Sequence, residues 1–328
     1  MLVLAYRLVN AYHKVMSAKV CIYVPTYRNE QTTIPVLQSY LNQSYRNIEI
    51  HVYDNGYPEG YYGIKEFIFS QNDSRIHYHP NESQLGHVGN YRRIFSEIQM
   101  TSLALVLSSD QGLVPNAIEV MVRAKEDSKA DIIFSAYKNF DVSNLDSNSV
   151  FSFAEHPHII EILGIKANKT FSSLEIFELF FSDENINGEY YGFSLFGSLF
   201  DARLLQNLSD KWSSFAGHGG EHYLSMTILL RSKLVHLLSD ALLLNVWGRP
   251  RIGGTERCMS DIYRIDCIMS AELILEEYSM LLESRGISLS SLRNSQIKKA
   301  EFFLNHYSGF RDYALGIIQN NKHRNQGT

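Results

Sequence analysis

Short apolar segments alternate with amphipathic segments along the first half of the chain. Buried strands are predicted by the short and mostly apolar segments 19–24, 47–53, 75–79, 102–107 and 131–135. Between the strands, apolar residues recur at helical spacing, as at Ile34, Leu37 and Leu41. Strands joined by helices predict an α/β protein with a mostly parallel sheet and right-handed crossovers.

The helix after the first strand carries its own start signal. Thr32 and Thr33 are predicted to cap its N-terminus, and Pro35 falls in its predicted first turn. Further helices are predicted at 62–69, 86–98, 115–124, 172–181 and 221–231.

The pattern changes after residue 136. An irregular insert or edge hairpins are expected at 137–170, and 190–200 predicts a strand or a close-packed loop. Residues 233–247 predict one or two strands. From residue 255 onward the chain is predicted to be helical, with one long helix that Gly286 ends.

The composition is that of a globular protein with a full core. The chain has 328 residues, 45% apolar and 20% charged, which allows two domains or one large domain with an extension. Its net charge of −5, from 30 Lys and Arg against 35 Asp and Glu, argues against binding nucleic acid through bulk charge. Cys21, Cys258 and Cys267 are too few for a zinc quartet and odd in number, so a reducing, cytoplasmic location is expected.

The N-terminal residues 1–17 are predicted to form an extension to the main domain. They have neither the apolar length of a membrane span nor the cleavage site of a secretory signal. A peripheral helix is favoured there, and a weak membrane-surface anchor or a second translation start at Met16 are the alternatives.

Polar clusters stand where three predicted strands end. They are residues 25–30, 54–56 and 108–111. Because ligands of open α/β sheets bind beyond the carboxyl ends of the strands, these clusters are predicted to lie together at a binding site.

Two adjoining motifs resemble a known family. The sequence V-P-T-Y-R-N-E at 24–30, followed by L-N-Q-S-Y-R-N-I-E-I-H-V-Y-D-N-G at 41–56, is similar to the opening of the family-two glycosyltransferases of the GT-A fold. Later segments resemble that family in the same order, namely 81–90, 107–119, 196–205 and 219–224. The resemblance covers roughly residues 18–250 and implies a GT-A fold with a C-terminal helical extension.

This resemblance divides the chain into functional segments. Residues 18–136 are expected to bind a nucleotide sugar, 137–254 to form the acceptor side of the GT-A domain, and 255–328 to form the helical extension. The expected donor-binding residues are Pro25, Thr26, Tyr27, Glu30, Asp54, Asn90, Arg93 and Ser109.

Their chemistry suits the parts of a nucleotide sugar. Tyr27 can lie against the base, Asp54 can accept a hydrogen bond from a base N–H such as that of uracil, and Glu30 can reach the ribose. Asn90 and Arg93 stand at a glycine-rich helix start that suits a diphosphate. The structural alternatives are a tight turn at Asp54, a solvated charge at Glu30 and a plain helix entry at Asn90.

The predicted metal loop departs from the family pattern. Relatives have Asp-x-Asp, whereas Asp110 is the single carboxylate in 107–112. Asp110 is the expected ligand of Mn²⁺ or Mg²⁺, bound together with diphosphate oxygens and water. A helix-entry cap, or a metal-free enzyme that uses arginines, is the alternative.

The expected general base opens a helix after a glycine-rich segment. Glu221 stands where relatives have an acidic residue that deprotonates the acceptor hydroxyl, and His222 is the alternative base. A purely structural Glu221 would instead interact with the helix macrodipole.

The resemblance implies an inverting glycosyltransferase that moves a sugar from a UDP-sugar to a saccharide or lipid-linked saccharide in surface polysaccharide synthesis. Peripheral contact with a membrane and homodimerisation through the C-terminal helices are the further partner expectations, and no nucleic acid is expected. The main rival is a catalytically weak or inert nucleotide-sugar-binding protein. A nucleotidyltransferase and a scaffolding protein are the others.

Overall fold

The computed structural model describes residues 18–27, 29–56, 63–141, 167–182, 194–215, 219–247, 256–306 and 311–326. The predicted extension at 1–17 lies outside these residues, as do most of the predicted insert at 137–170 and the start of segment 190–200.

A mixed sheet organises the first part of the fold. Its nine strands among the described residues are β1 Val20–Thr26, β2 Ile48–Asp54, β3 Ile76–Pro80, β4 Leu103–Val106, β5 Gln111–Leu113, β6 Ile132–Asp141, β7 Lys169–Ser172, β8 Leu199–Asp201 and β9 Leu234–Trp247. The order across the sheet is β3-β2-β1-β4-β8-β6-β9-β5, and β7 pairs with β9. Strand β1 runs parallel to β2 and β4, and β2 runs parallel to β3, whereas β8 is antiparallel to β4 and β6.

Helices connect these strands and continue to the C-terminus. They are α1 Glu30–Leu41, α2 Gly63–Gln71, α3 Gly86–Glu97, α4 Ala117–Ser128, α5 Ser173–Leu179, α6 Gly219–Arg231, α7 Glu256–Glu277, α8 Ser279–Ser284, α9 Leu289–His306 and α10 Arg311–Gln326. Short 3₁₀ helices lie at Ala202–Leu205 and Asp210–Ser214.

The chain clusters into two compact units that interleave along the sequence. The first unit comprises the described residues within 1–171, 195–208 and 232–253, and the second those within 172–194, 209–231 and 254–328. This structural division does not test the predicted division into functional segments, which remains a prediction.

The first unit is built around the parallel strands. Ile22 of β1 and Ile50 of β2 are fully buried and pack with Leu37 of α1 and Ile64 of α2. Since alternate side chains of a strand point to opposite faces, this apolar face leaves Cys21, Tyr23 and their neighbours on the other face.

The second unit has its own apolar cluster. Ile268 of α7, Ile297 and Ala300 of α9, and Ile317 of α10 pack together. Tyr223 of α6 also donates a hydrogen bond of 2.5 Å to the carboxylate of Glu277, at the end of α7.

Most of the predicted elements are confirmed, and the differences concern where individual helices begin and end. The threonine caps are wrong, because α1 begins at Glu30 and places both threonines inside the helix. Residues 234–247 form a single strand, which agrees with the prediction of one or two strands. The predicted long helix is interrupted at Tyr278, and Gly286 follows α8 with a left-handed φ of 78°. Within the described residues, no helix is long and apolar enough to cross a membrane.

Candidate active site

The carboxyl ends of β1, β2 and β4 lie side by side. The register pairs Thr26 with Asp54, and the amide of Asn55 donates to the carbonyl of Thr26 at 2.9 Å. On the other side of β1, the amide of Leu107 donates to the carbonyl of Tyr23 at 3.0 Å, which extends the pairing beyond β4. The three polar clusters therefore leave the sheet at one edge, and the binding site predicted there remains a prediction.

Asp54 is held at this edge by hydrogen bonds to both of its carboxylate oxygens. Oδ1 accepts from the amide of Gly56 at 3.1 Å, and Oδ2 accepts from the hydroxyl of Tyr78 at 2.8 Å. Burial and the nearby Asp54 carboxylate raise the pKa of Tyr78 well above its usual range, so this phenol remains protonated and can donate. The predicted turn also exists, since Gly56 has a φ of 51°.

Asn90 is part of an asparagine network that fastens the start of α3 to β2. Its amide Nδ2 donates to the carbonyl of Tyr53 at 3.1 Å, and its Oδ1 accepts from Asn81 at 3.0 Å. Asn55 accepts from Asn81 at 3.2 Å and from the amide of Leu85 at 2.8 Å. Sequence reasoning missed Asn55 and Asn81, although Asn55 stands next to Asp54 in the quoted motif.

Arg93 is bound to the chain by three hydrogen bonds. Its Nη1 donates to the carbonyl of Pro80 at 2.8 Å and to Oδ1 of Asn81 at 2.6 Å, while Nε donates to Glu97 at 2.9 Å. These contacts orient the guanidinium beside the asparagine network. The predicted contacts of Asn90 and Arg93 with a diphosphate remain predictions.

The remaining residues of the first cluster have structural contacts of their own. Thr26 is buried, and its hydroxyl lies 3.3 Å from the hydroxyl of Thr33 in α1. Pro25 pairs with Tyr53 in the sheet. Tyr27 is partly buried at the end of β1.

Glu30 interacts with the start of α2. Its Oε1 accepts a hydrogen bond of 2.9 Å from the amide of Gly63, the first residue of that helix. A carboxylate at a helix N-terminus is stabilising because the amides there carry partial positive charge. Glu30 is therefore a helix cap in the structure, and its ribose contact remains a prediction.

The loop between β4 and β5 holds Asp110. The hydroxyl of Ser108 donates to Oδ1 of Asp110, and the amide of Ser108 donates to the side chain of Gln111 at 3.0 Å. Ser109 is partly buried between them. The buried hydroxyl of Tyr40 donates to the carbonyl of Gln111, and burial together with the charge of Asp110 raises its pKa.

This loop fits a divalent cation only if a substrate completes the coordination. Within the described part of the chain, Asp110 belongs to no group of three His, Cys, Asp or Glu side chains whose ligand atoms lie within 4.8 Å of one another. A hard cation can be held by one carboxylate when phosphate oxygens and water supply the other ligands. Asp110 could hold such a cation in that way.

The second unit contains Glu221 and His222, in the first turns of α6. The hydroxyl of Ser194 donates to Oε1 of Glu221 at 2.5 Å, and His222 packs edge-on against Phe180 with ring centroids 5.3 Å apart. Before them, Gly220 lies so close to Trp212 that an added Cβ would approach its carbonyl oxygen to 2.9 Å.

Comparisons with known proteins agree with the quoted motifs. Residues 21–182 match the family described as glycosyl transferase family 2. The chain is 24% identical over 151 residues to the glycosyltransferase GlyG of Streptococcus pneumoniae, covering 46% of this chain and 49% of GlyG. It is 26% identical over 226 residues to the glycosyltransferase GlyA of the same organism, covering 68% of this chain and 30% of GlyA. The chain thus spans half or less of the length of these curated relatives.

Solved structures share the fold. The chain resembles a crystal structure of S. aureus TarS with a TM-score of 0.57 and 15% identity, covering 90% of this chain and 44% of that one. It also resembles TarS 1-349 in complex with UDP-GlcNAc with a TM-score of 0.53 and 13% identity, covering 94% of this chain and 92% of that one. These likenesses confirm the predicted α/β fold of the GT-A type. The match over residues 21–182 confirms the resemblance of the quoted motifs to glycosyl transferase family 2.

Proposed function

We propose that the chain is an inverting glycosyltransferase that transfers a sugar from a UDP-sugar to a saccharide or lipid-linked saccharide acceptor in surface polysaccharide synthesis. The observation that carries the proposal is Asp54 at the shared edge of β1, β2 and β4, oriented by Tyr78 within the segment that matches the family. The crystal structures of TarS 1-349 in complex with UDP and with UDP-GlcNAc support a UDP-linked donor.

The donor is assigned to the sheet edge. Asp54 accepts a hydrogen bond from an N–H of the base, the main chain of residues 25–27 borders the base, and Ser109 lies on the diphosphate side. Here Arg93 and the start of α3 offer positive charge and backbone amides, which suit phosphate oxygens.

Asp110 is the proposed cation ligand. A bound Mn²⁺ or Mg²⁺ would neutralise charge on the departing diphosphate. Because Asp110 is the single carboxylate of its loop, the substrate would supply most ligands of the cation, and cation affinity is expected to be low without nucleotide.

Glu221 is the proposed general base. It takes the proton of the acceptor hydroxyl while that oxygen bonds to the anomeric carbon and the bond from this carbon to the diphosphate breaks. Ser194, at 2.5 Å, orients one oxygen of the carboxylate. His222 is the alternative base.

A second candidate is a nucleotide-sugar-binding protein without transferase activity. The solitary Asp110 favours it, because relatives bind the cation with more than one carboxylate. The two candidates make the same prediction for nucleotide binding and opposite predictions for sugar transfer.

Calorimetric titration of the full chain with UDP, GDP and dTDP, with and without Mn²⁺, tests the donor site. UDP is expected to bind most tightly, and Asp54→Asn is expected to weaken it at least tenfold. Asp240→Asn, which removes an exposed carboxylate of β9, is the control and is expected to leave binding unchanged. Equal affinity of Asp54→Asn and the unmodified chain would refute the proposed donor site.

Release of UDP from UDP-sugars, measured with a panel of saccharide and lipid-linked acceptors, separates the two candidates. Transfer that Glu221→Gln abolishes while UDP binding persists supports the transferase. Nucleotide binding with no transfer to any acceptor supports the binding protein.

A further inference from the structure

A group of potential metal ligands lies on the face of the sheet opposite Asp54. The register pairs Cys21 of β1 with Glu49 of β2, and His51 follows two residues later on the same face. His51 in turn pairs with His77 of β3, and their rings stack with centroids 5.0 Å apart. Sequence reasoning treated Cys21 only as one member of an odd cysteine count.

The ligand atoms of Cys21, Glu49 and His51 converge. One sulfur, one carboxylate oxygen and one imidazole nitrogen all lie within 4.8 Å of one another. Nε2 of His51 is 3.4 Å from Oε2 of Glu49. The second oxygen of Glu49, Oε1, lies 2.6 Å from Nζ of Lys19, and Oε2 also accepts a hydrogen bond of 3.2 Å from Nε2 of Gln99.

One ring nitrogen of His51 is buried and faces this group. The residue is 8% exposed, and within the described residues its Nε2 has no hydrogen-bond partner. Its other nitrogen, Nδ1, lies 3.1 Å from Nε2 of His79. When Nδ1 donates its proton to His79, Nε2 carries a lone pair that faces a carboxylate oxygen, and a cation between the two atoms would satisfy both.

His51 has a hydrogen-bonding neighbour, His79, on the side of its ring away from Glu49. Histidines that bind metals usually donate their second ring N–H to a neighbouring acceptor, which fixes the tautomer. Nε2 of His79 is that neighbouring atom here, so Nε2 of His51 is left to bind a metal.

We propose that Cys21, Glu49 and His51 form a binding site for Zn²⁺. Zinc combines thiolate, imidazole and carboxylate ligands, whereas Mg²⁺ and Mn²⁺ prefer oxygen, so this site differs in chemistry from the Asp110 loop. The thiol of Cys21 loses its proton to solvent as the sulfur–zinc bond forms, and a water molecule takes the fourth position. Thiolate and carboxylate together then balance the charge of the ion.

The site lies away from the donor edge. Cys21 precedes Thr26 by five residues, which places it roughly 16 Å from the donor edge along a strand. Bound Zn²⁺ would join β1 and β2 and stabilise the first unit, because the ion binds the folded ligands and not the unfolded chain.

Cobalt spectroscopy of the full chain tests the proposal. The protein is stripped with EDTA, dialysed and titrated with Co²⁺, and the sulfur-to-cobalt charge-transfer absorption is followed. One equivalent is expected to saturate the band, and Zn²⁺ is expected to displace it. Absence of the band, or a band that Zn²⁺ does not reduce, would overturn the proposal.

Three variants assign the band to this group. Cys21→Ser is expected to abolish it, whereas Cys267→Ser, which removes the buried thiol of the second unit, is expected to retain it. Asp110→Asn is also expected to retain it. A band that survives Cys21→Ser shows cobalt bound elsewhere and overturns the assignment.

A milder variant keeps the test valid if Cys21→Ser does not fold. Glu49→Gln preserves the side-chain shape and is expected to weaken Co²⁺ at least tenfold, with folding checked by circular dichroism. Unchanged cobalt affinity in folded Glu49→Gln would exclude the carboxylate from the site.

Discussion

The hydroxyl of Tyr78 donates a hydrogen bond of 2.8 Å to Oδ2 of Asp54. Tyr78 lies on β3, next to β2 in the sheet, so the contact is set by the register of two parallel strands. Because the amide of Gly56 holds the other oxygen, the carboxylate is oriented before any ligand arrives. Such preorganisation lowers the entropy lost when a ligand binds.

Tyr78→Phe is therefore expected to weaken UDP binding without removing it. A hydrogen bond to a charged group is worth about 1.5–3 kcal/mol, and part of this energy is recovered by water at a partly exposed carboxylate, so a loss of roughly three- to tenfold in affinity is expected. Calorimetric titration with UDP measures it.

Tyr45→Phe is the matched control for this substitution. It also removes a phenolic hydroxyl from the first unit, where Tyr45 donates to the carbonyl of Ala18 at 2.5 Å. Its UDP affinity should equal that of the unmodified chain. If both variants lose affinity equally, Tyr78 affects the fold in general rather than Asp54.

Two substitutions of Glu30 separate its observed contact from its predicted one. Glu30→Ala removes the acceptor for the amide of Gly63 and is expected to lower the free energy of unfolding by about 1 kcal/mol. Glu30→Gln keeps an acceptor oxygen and should restore most of that stability. If Glu30 also binds the ribose, both variants bind UDP several-fold more weakly. Wild-type UDP affinity in Glu30→Gln would make the residue a helix cap alone.

The contacts that sequence reasoning missed depend on strand pairing. The order of strands and helices in the first half of the chain and the meeting of three polar clusters follow from local patterns and the rules for parallel sheets. The hydrogen bonds of Asn90 with Asn81 and Tyr53 join residues that are distant in sequence, so no local pattern reveals them. The same holds for the stack of His51 and His77, which arises only once β2 and β3 are in register.

The threonine caps failed for a related reason. Thr32 and Thr33 have the residue type of a cap, but the helix begins earlier, at Glu30. Thr33 is buried and meets Thr26 across the end of β1, a tertiary contact that outweighs its local preference. The two threonines therefore predicted that a helix lies here, but not the residue at which it begins.

Acid is expected to destabilise the metal-free protein through His51. Burial, with His77 and His79, lowers its pKa from 6.5 to about 4, so between these values the unfolded chain binds a proton that the folded chain does not. The stabilisation is complete above about pH 6.5 and is lost as the pH falls toward 4, by roughly 3 kcal/mol in total. Urea denaturation in EDTA at pH 7, 6 and 5 measures this slope.

His51→Gln should remove most of the slope, while some remains because burial also lowers the pKa of His79. His323→Gln, at an exposed position of α10, is the control and should keep the full slope. An unchanged slope in His51→Gln would mean that the acid sensitivity arises at other groups.

Gly220→Ala is expected to destabilise the second unit. The added Cβ would lie 2.9 Å from the carbonyl oxygen of Trp212, a backbone atom that cannot rotate away, and Trp212 is itself buried. Overpacking of this kind costs about 1–3 kcal/mol, which exceeds the gain of up to about 1 kcal/mol from replacing glycine in a helix. Gly316→Ala in α10 is the matched control, since its Cβ would meet no atom of the described residues within 4 Å apart from the backbone of its own helix, and only the helical gain remains. Urea denaturation should therefore move the two midpoints in opposite directions, and a Gly220→Ala protein as stable as Gly316→Ala would show that Trp212 yields to the new methyl group.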